Sequence, residues 1–412
     1  MAWVGRCSTG LPRHHRSKTR PTGGARYNAQ VTLEAAPVNP KMLRWARQSA
    51  GYSIEEAAAR LHVSTATVTK METGEHPVTF GRVDDLSGLY KRPSVVFYLP
   101  DPPQEDETFP ADFRSATRAR TPSVILQVRR AKERRTTALE IATSIGEQPR
   151  LLGFECSTGE DPEVVGARLR KRLGFAEPAD GWADDTTGYA SLGTRKRAVE
   201  NAGVLVFQAP GADFEEVSGL SMHFDRFPVV ILRASDSTRR RSFTLFHELA
   251  HLGLRQGGLC DLHDDGVELF CNRVAAAAMM PAQSVEAAEA REGLTGQPTA
   301  TQLGRLAATF GVSEQAMLLR LVGLGVVPLA VYMARRSSFV RKDREAPAAS
   351  KGGTHYRNVL ARNGDRYTHL VLEGYARGIL TGHRAATYLG TSVTGLERVG
   401  EDLARKTLRA AS

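Results

Sequence analysis

Apolar and polar positions change period several times along the chain, and each change predicts an element. Helical spacing begins at Pro40, a residue suited to a first helical turn, and predicts four short helices up to about Arg92. An acidic, proline-rich stretch from Leu99 then breaks the pattern. Beyond it Val124, Val128, Ala131, Leu139 and Ala142 recur at roughly helical spacing, predicting one long basic helix over residues 121–145. Helices over 164–173 and 194–202 follow, with short β-branched or aromatic runs at 204–207, 220–224 and 229–232 that predict strands. Residues 243–254 and 267–280 predict two helices, the second ended by Pro281. Residues 298–327 form another compact helical unit, and the last sixty or so residues are mostly helical in pattern. No tandem repeat of fixed period is visible.

These elements describe a multidomain chain. Residues 1–38 are expected to be a disordered basic tail, with too little apolar surface to offset the entropy of ordering. An all-α helix-turn-helix domain is expected over 39–100, a basic helical linker over 101–150, and an α+β domain over 151–334 that includes the helix-turn-helix-like unit 298–327, read as packing on that domain. A polar linker at 335–353 then leads to a helical C-terminal region, 354–412. A length of 412 residues and 41 % apolar composition are ample for several cores.

Charge and cysteine content narrow the setting. The formal net charge of +10 favours a polyanionic partner. The four cysteines, Cys7, Cys156, Cys260 and Cys271, show no C-x-x-C spacing, so a disulfide framework is not expected and a reducing compartment fits. Neither a signal-peptide core nor a membrane-length apolar run appears, and the expectation is a soluble cytoplasmic protein with no membrane partner.

One stretch carries specific chemistry. In RRRSFTLFHELAHLGL, His247 and His251 stand four positions apart, so a helix projects both imidazoles from one face, where they can share a Zn²⁺. Glu248 lies one step round that helix, the place of a general base beside such a metal. A random chain of this length and composition would contain H-E-x-x-H about 0.02 times. The third ligand must come from elsewhere. Position 257, where a metzincin has histidine, is Gly257. His263, Asp264, Asp265, Glu268 and, less naturally, Cys260 and Cys271 are nearby. Glu268 opens the helix in ELFCNRVAAAAMMP and is rigidly held, which favours it. Asn272 follows four residues later on the same face, where it can hydrogen-bond a ligand imidazole and fix its tautomer. His223, His263 and Tyr189 are equal candidates for stabilising an oxyanion.

Phe243-Thr244-Leu245-Phe246-His247-Glu248-Leu249-Ala250-His251, then Glu268 to Asn272 and Met279-Met280-Pro281, resembles the ImmA/IrrE metallo-endopeptidase family. The resemblance implies a zincin-like metallopeptidase fold, zinc on His247, His251 and Glu268, and catalysis by Glu248. Ala250 stands where the family often has glycine. The strands before the motif resemble those preceding the family's active-site helix, and a peptide could add to their edge.

Residues 40–92 carry a second pattern. Ser53 with Glu56 forms a capping box, Ala57 and Ala58 permit a close helix crossing, His62-Val63 makes a turn, and Ser64 opens a short helix. Ser64, Thr65, Thr67 and Lys70 would then face a major groove. The stretch resembles the XRE-type helix-turn-helix family, with Met71-Glu72-Thr73-Gly74 in place of its usual Trp-Glu-x-Gly ending. Arg114, Arg118, Arg120, Arg129, Arg130, Lys132, Arg134 and Arg135 suggest an added phosphate-facing surface. Together the resemblances imply a zinc endopeptidase with a DNA-binding module, cleaving a repressor-like protein in a bacterial stress or prophage circuit. The competing expectation is a transcriptional regulator or antitoxin-like DNA-binding protein whose metal site is structural or sensory.

Overall fold

The computed structural model describes residues 34–103, 121–175, 189–210, 217–255, 265–294, 296–345 and 355–411. Residues 1–33 of the expected basic tail lie outside the described residues, as do Arg114, Arg118, Arg120, Cys260, His263, Asp264 and the side chain of Tyr189. Residues 34–38 of that tail are ordered instead: Ala36 is buried in the N-terminal core and donates its N–H to the Val78 carbonyl.

Four helices build the N-terminal module: α1 (Pro40–Ser49), α2 (Ile54–Leu61), α3 (Thr65–Thr73) and α4 (Phe80–Tyr90). Side-chain caps start each one, from Asn39, Ser53, Ser64 and Thr79, and the Ser53–Glu56 capping box is complete. Met71, only 4 % exposed, joins Leu43, Ala46, Ala57 and Val68 in the module's own core. One buried ion pair braces it: Arg47 Nε lies 2.6 Å from Glu72 Oε1, and Arg47 Nη2 lies 3.0 Å from Oε2. Arg47 Nη1 also donates to the Tyr52 carbonyl.

Helix α5 (Pro122–Ser144) is long and basic, as its pattern predicts, but three of the arginines expected to face phosphates, Arg129, Arg134 and Arg135, are engaged within the protein. Arg129 donates to the carbonyls of Tyr90 and Lys91 at the end of α4. Arg134 lies over the Phe207 ring, where burial pushes its guanidinium down to about 10. Arg135 stacks 3.7 Å above Phe224 and donates to the Arg226 and Phe227 carbonyls. Three cations that look solvent-facing in sequence are therefore used as internal braces. The aliphatic stem of arginine packs against apolar surface while its donors reach carbonyls.

A three-stranded sheet organises the rest. Helices α6 (Pro162–Arg172) and α7 (Tyr189–Asn201) precede β1 (Leu205–Ala209), β2 (Gly219–Met222) and β3 (Val229–Arg233). The strand order is β1-β3-β2, with β1 parallel and β2 antiparallel to β3. Alternation sends Val206, Val230 and Leu232 to one face and Leu205, Phe207, Val229 and Ile231 to the other. The first face packs on α6, α8 (Thr238–Gly253) and α9 (Asp265–Met279). The second packs on α5 and on the C-terminal helices α14 (His355–Asn363), α15 (Asp365–Ala376), α16 (Gly382–Leu389) and α17 (Gly395–Ala411). The C-terminal region is thus one layer of the sandwich. Each fully buried residue such as Phe207 or Ile231 contributes about 1.5–3 kcal/mol, all of it lost if that layer is removed.

Two expectations are corrected between these layers. Pro281 ends α9 but at once caps α10 (Ala282–Glu292), a helix the sequence pattern did not reveal; Val285 and Ala288 bury its inner face. The polar linker expected from residue 335 begins instead as helix: α13 runs Leu329–Glu345, and Phe339 is buried against the lobe. Its polar residues form the outer face of an amphipathic helix. Between them α11 (Ala300–Thr309) and α12 (Glu314–Gly323) form the compact 298–327 unit. Buried arginines fasten it to the lobe. Arg195 donates to the Phe310 and Gly311 carbonyls, and Arg320 to the Met280 carbonyl and the Glu163 carboxylate.

Candidate metal centre

Helix α8 is capped by Ser237 and buries Leu245, Phe246, Leu249 and Ala250, so His247 and His251 emerge half-buried on the remaining face. Gly253 closes the helix where a Cβ would lie 2.3 Å from Phe154; only glycine admits the segment that crosses there. Helix α9 runs alongside and buries Phe270, Cys271 and Val274. Its close approach to α6 rests on Gly166, whose added Cβ would stand 2.7 Å from that of Ala277. This packing holds the first turns of α9, and with them Glu268, opposite the two imidazoles.

The three side chains converge. His247 Nε2 lies 3.0 Å from His251 Nε2 and 3.3 Å from Glu268 Oε2, and His251 Nε2 lies 3.2 Å from Glu268 Oε1. A tetrahedral ion with bonds of about 2.0–2.1 Å needs ligand atoms about 3.3 Å apart, so the spacing fits such an ion. Two imidazole lone pairs facing at 3.0 Å repel unless a cation or shared proton lies between them. The neighbouring imidazoles, by hydrogen bonding and charge, hold the Glu268 carboxyl well below the usual carboxylate range. Among the described residues this is the group of histidine, cysteine and acidic side chains that could hold a metal. Cys271 is fully buried in the core and takes no part.

Asn272 Oδ1 lies 3.1 Å from His247 Nδ1. The amide oxygen accepts, so Nδ1 carries the proton and Nε2 is left free to ligate. Asn272→Ala should weaken metal affinity by about 10–100-fold while leaving the melting temperature of the metal-free protein unchanged. Competition with a chelating dye checks both the affinity and the stoichiometry.

Glu248 is 7 % exposed and points to the side of the cluster where β2 begins. A Cβ on Gly219 would lie 2.3 Å from Thr244 Cγ2 and 2.9 Å from Glu248 Oε1. Glycine at the head of β2 is what lets an edge strand lie against the site helix. In the sequence Gly219 reads only as the head of a strand resembling those before the family's site helix, although a glycine opening a strand is the available signal for such close approach. His223 follows β2 directly and is half-buried.

The N-terminal candidates sit apart from this centre. Ser64 caps α3, accepting from Thr67 N at 3.1 Å and sharing a 2.8 Å hydrogen bond with Thr67 Oγ1. Thr65 and Lys70 are exposed along the same helix. Thr69, exposed beside Lys70, donates its hydroxyl to the Thr65 carbonyl.

Comparison with known families agrees with both halves. Residues 199–322 match the IrrE N-terminal-like domain of peptidase M78, a range that contains the sheet, α8, α9 and all the metal-centre residues. Residues 42–95 match a helix-turn-helix domain. No curated protein matches the chain. No helix among the described residues is long and apolar enough to cross a membrane. The chain therefore carries, at residues 199–322, an IrrE N-terminal-like domain of peptidase M78, with a helix-turn-helix domain in front of it.

Proposed function

We propose that the protein is a cytoplasmic zinc-dependent endopeptidase of zincin-like architecture whose helix-turn-helix module binds DNA, and that its substrate is a repressor-like regulatory protein. The supporting observation is the convergence of His247, His251 and Glu268 to mutual distances of 3.0–3.3 Å beside the buried Glu248 carboxylate. Those three residues would hold the ion, and Asn272 would orient His247. Zinc, when bound, supplies a Lewis acid that lowers the pKa of water towards neutrality and polarises a peptide carbonyl. Glu248 takes the proton from the attacking water and delivers it to the departing amide nitrogen. Strand β2 is an edge of the sheet among the described residues, and an extended peptide can pair with it in line with the cluster.

A structural or sensory metal site has no use for Glu248, since a carboxylate beside but not on the ion adds nothing to ligation. Proteomes of cells carrying the wild-type chain or Glu248→Gln separate the two readings. Fragments of a regulator present only with wild type are expected. Identical proteomes with full complementation by the variant would leave the regulator reading standing instead. Gly219→Ala should lower cleavage by about 10²-fold with metal retained, because its methyl displaces the Glu248 carboxylate by the order of 1 Å. Parallel turnover and metal assays on that variant check the separation.

A further inference from the structure

Residues 381–400 repeat the geometry of the helix-turn-helix at 53–72 without a gap. Thr381, like Ser53, caps the first helix by accepting from the backbone N three residues on. The pairs Ala385-Ala386 and Ala57-Ala58 are buried at the same position, as are Leu389 and Leu61. Gly390 (φ 66, ψ 44) and His62 (φ 55, ψ 44) then turn through the left-handed region. The next N–H bonds back alike: Thr391 N to the Ala386 carbonyl and Val63 N to the Ala58 carbonyl, both 3.0 Å. Ser392 and Ser64 each accept from the N–H three residues later at 3.1 Å. Leu396 and Val399 are buried where Val68 and Met71 are. The repeat is dispersed and lies in side-chain roles, so no periodic pattern exposes it.

The surfaces of the two units differ in charge. The first turn of α2 carries Glu55 and Glu56, whereas the matching turn of α16 carries His383 and Arg384. Asn363 Nδ2 donates to the Leu389 carbonyl and pins the end of α14 to the turn, which sets Arg362 beside Gly390. Arg398 extends from the first turns of α17 over Tyr356. Arg362, Arg384 and Arg398 are all exposed, and none has an ion-pair partner among the described residues. Glu397 offsets one of these charges. Across residues 355–411 arginine and lysine outnumber aspartate and glutamate.

We propose that residues 381–400 form a second helix-turn-helix unit that binds duplex DNA, with α17 towards the major groove and Arg362, Arg384 and Arg398 on phosphates. The peptidase lobe then carries its own DNA contact, and the chain grips DNA at two points, raising the effective concentration of each for the other. The inference is independent of whether the metal centre hydrolyses peptides.

The test is fluorescence anisotropy of the full chain with a labelled random-sequence duplex over a range of salt concentrations. Replacing all three arginines by glutamine should reduce the slope of log K against log[salt] by about 2.7, or about 0.9 for each phosphate that is no longer neutralised. Each single substitution should remove about 0.9, which keeps the test open if the triple variant melts early. The reduction should persist when Lys70→Glu has weakened the N-terminal unit. Unchanged slopes in folded variants, or no binding of the duplex by the wild-type chain, would overturn the proposal.

Discussion

Glu248→Gln should leave zinc affinity intact and lower peptide cleavage by about 10²–10⁴-fold, the usual contribution of a positioned general base. The amide has the carboxylate's shape, so the packing of residue 248 against Thr244 and Gly219 survives the change. Neither oxygen of Glu248 is a ligand in this arrangement, since His247, His251 and Glu268 already converge without it. The variant therefore separates chemistry from metal binding and from folding. Turnover of a proteome-derived peptide library, read by mass spectrometry with metal content measured on the same samples, provides the check. A variant that keeps its metal and cleaves at the wild-type rate would remove Glu248 from the mechanism. A variant that loses the metal would make it a ligand.

The second large effect is expected at a distance from the metal. Glu72→Ala strips the partner from Arg47, whose guanidinium is buried, and one-sided loss of a buried pair costs about 3–5 kcal/mol. In the intact pair the hydrogen bond with Glu72 raises the pKa of Arg47 against the burial that lowers it. With Glu72 removed the opposing burial remains, and because a guanidinium does not give up its proton in proteins, Arg47 stays charged and without its carboxylate. A small module with a total stability of about 5–15 kcal/mol has little left after such a loss. Because Leu43, Ala46 and Val68 form a core separate from that of the sheet, the N-terminal module should unfold at lower temperature while the lobe melts unchanged. Arg47→Met with Glu72→Leu should recover much of the loss, since replacing both charges removes the desolvation cost with the attraction. Scanning calorimetry resolves the two transitions; a single unchanged transition in Glu72→Ala would show that the pair braces nothing.

Much of this is legible in residue order because local spacing governs it. Histidines four apart on a helix must share a face, and Glu268 with Asn272 repeats that relation on the facing helix. The caps of the N-terminal module are likewise set by residues within three positions of one another. What is illegible depends on distant partners. Nothing local distinguishes Arg195, fully buried on backbone carbonyls, from an arginine in solvent, and Arg129, Arg134 and Arg135 mislead in the same way. A polar stretch such as 335–345 shows its helical nature only against a lobe that buries Phe339. The role of Gly219 is visible only once β2 lies across Thr244 and Glu248.

X-ray absorption at the zinc edge of the purified chain addresses the coordination itself. The expected spectrum has one zinc per chain, two imidazole nitrogens and carboxylate oxygen at about 2.0–2.2 Å, and no sulfur. A scatterer at about 2.3 Å, the distance of a thiolate, would place Cys260 or another cysteine on the ion and contradict the assignment of Glu268.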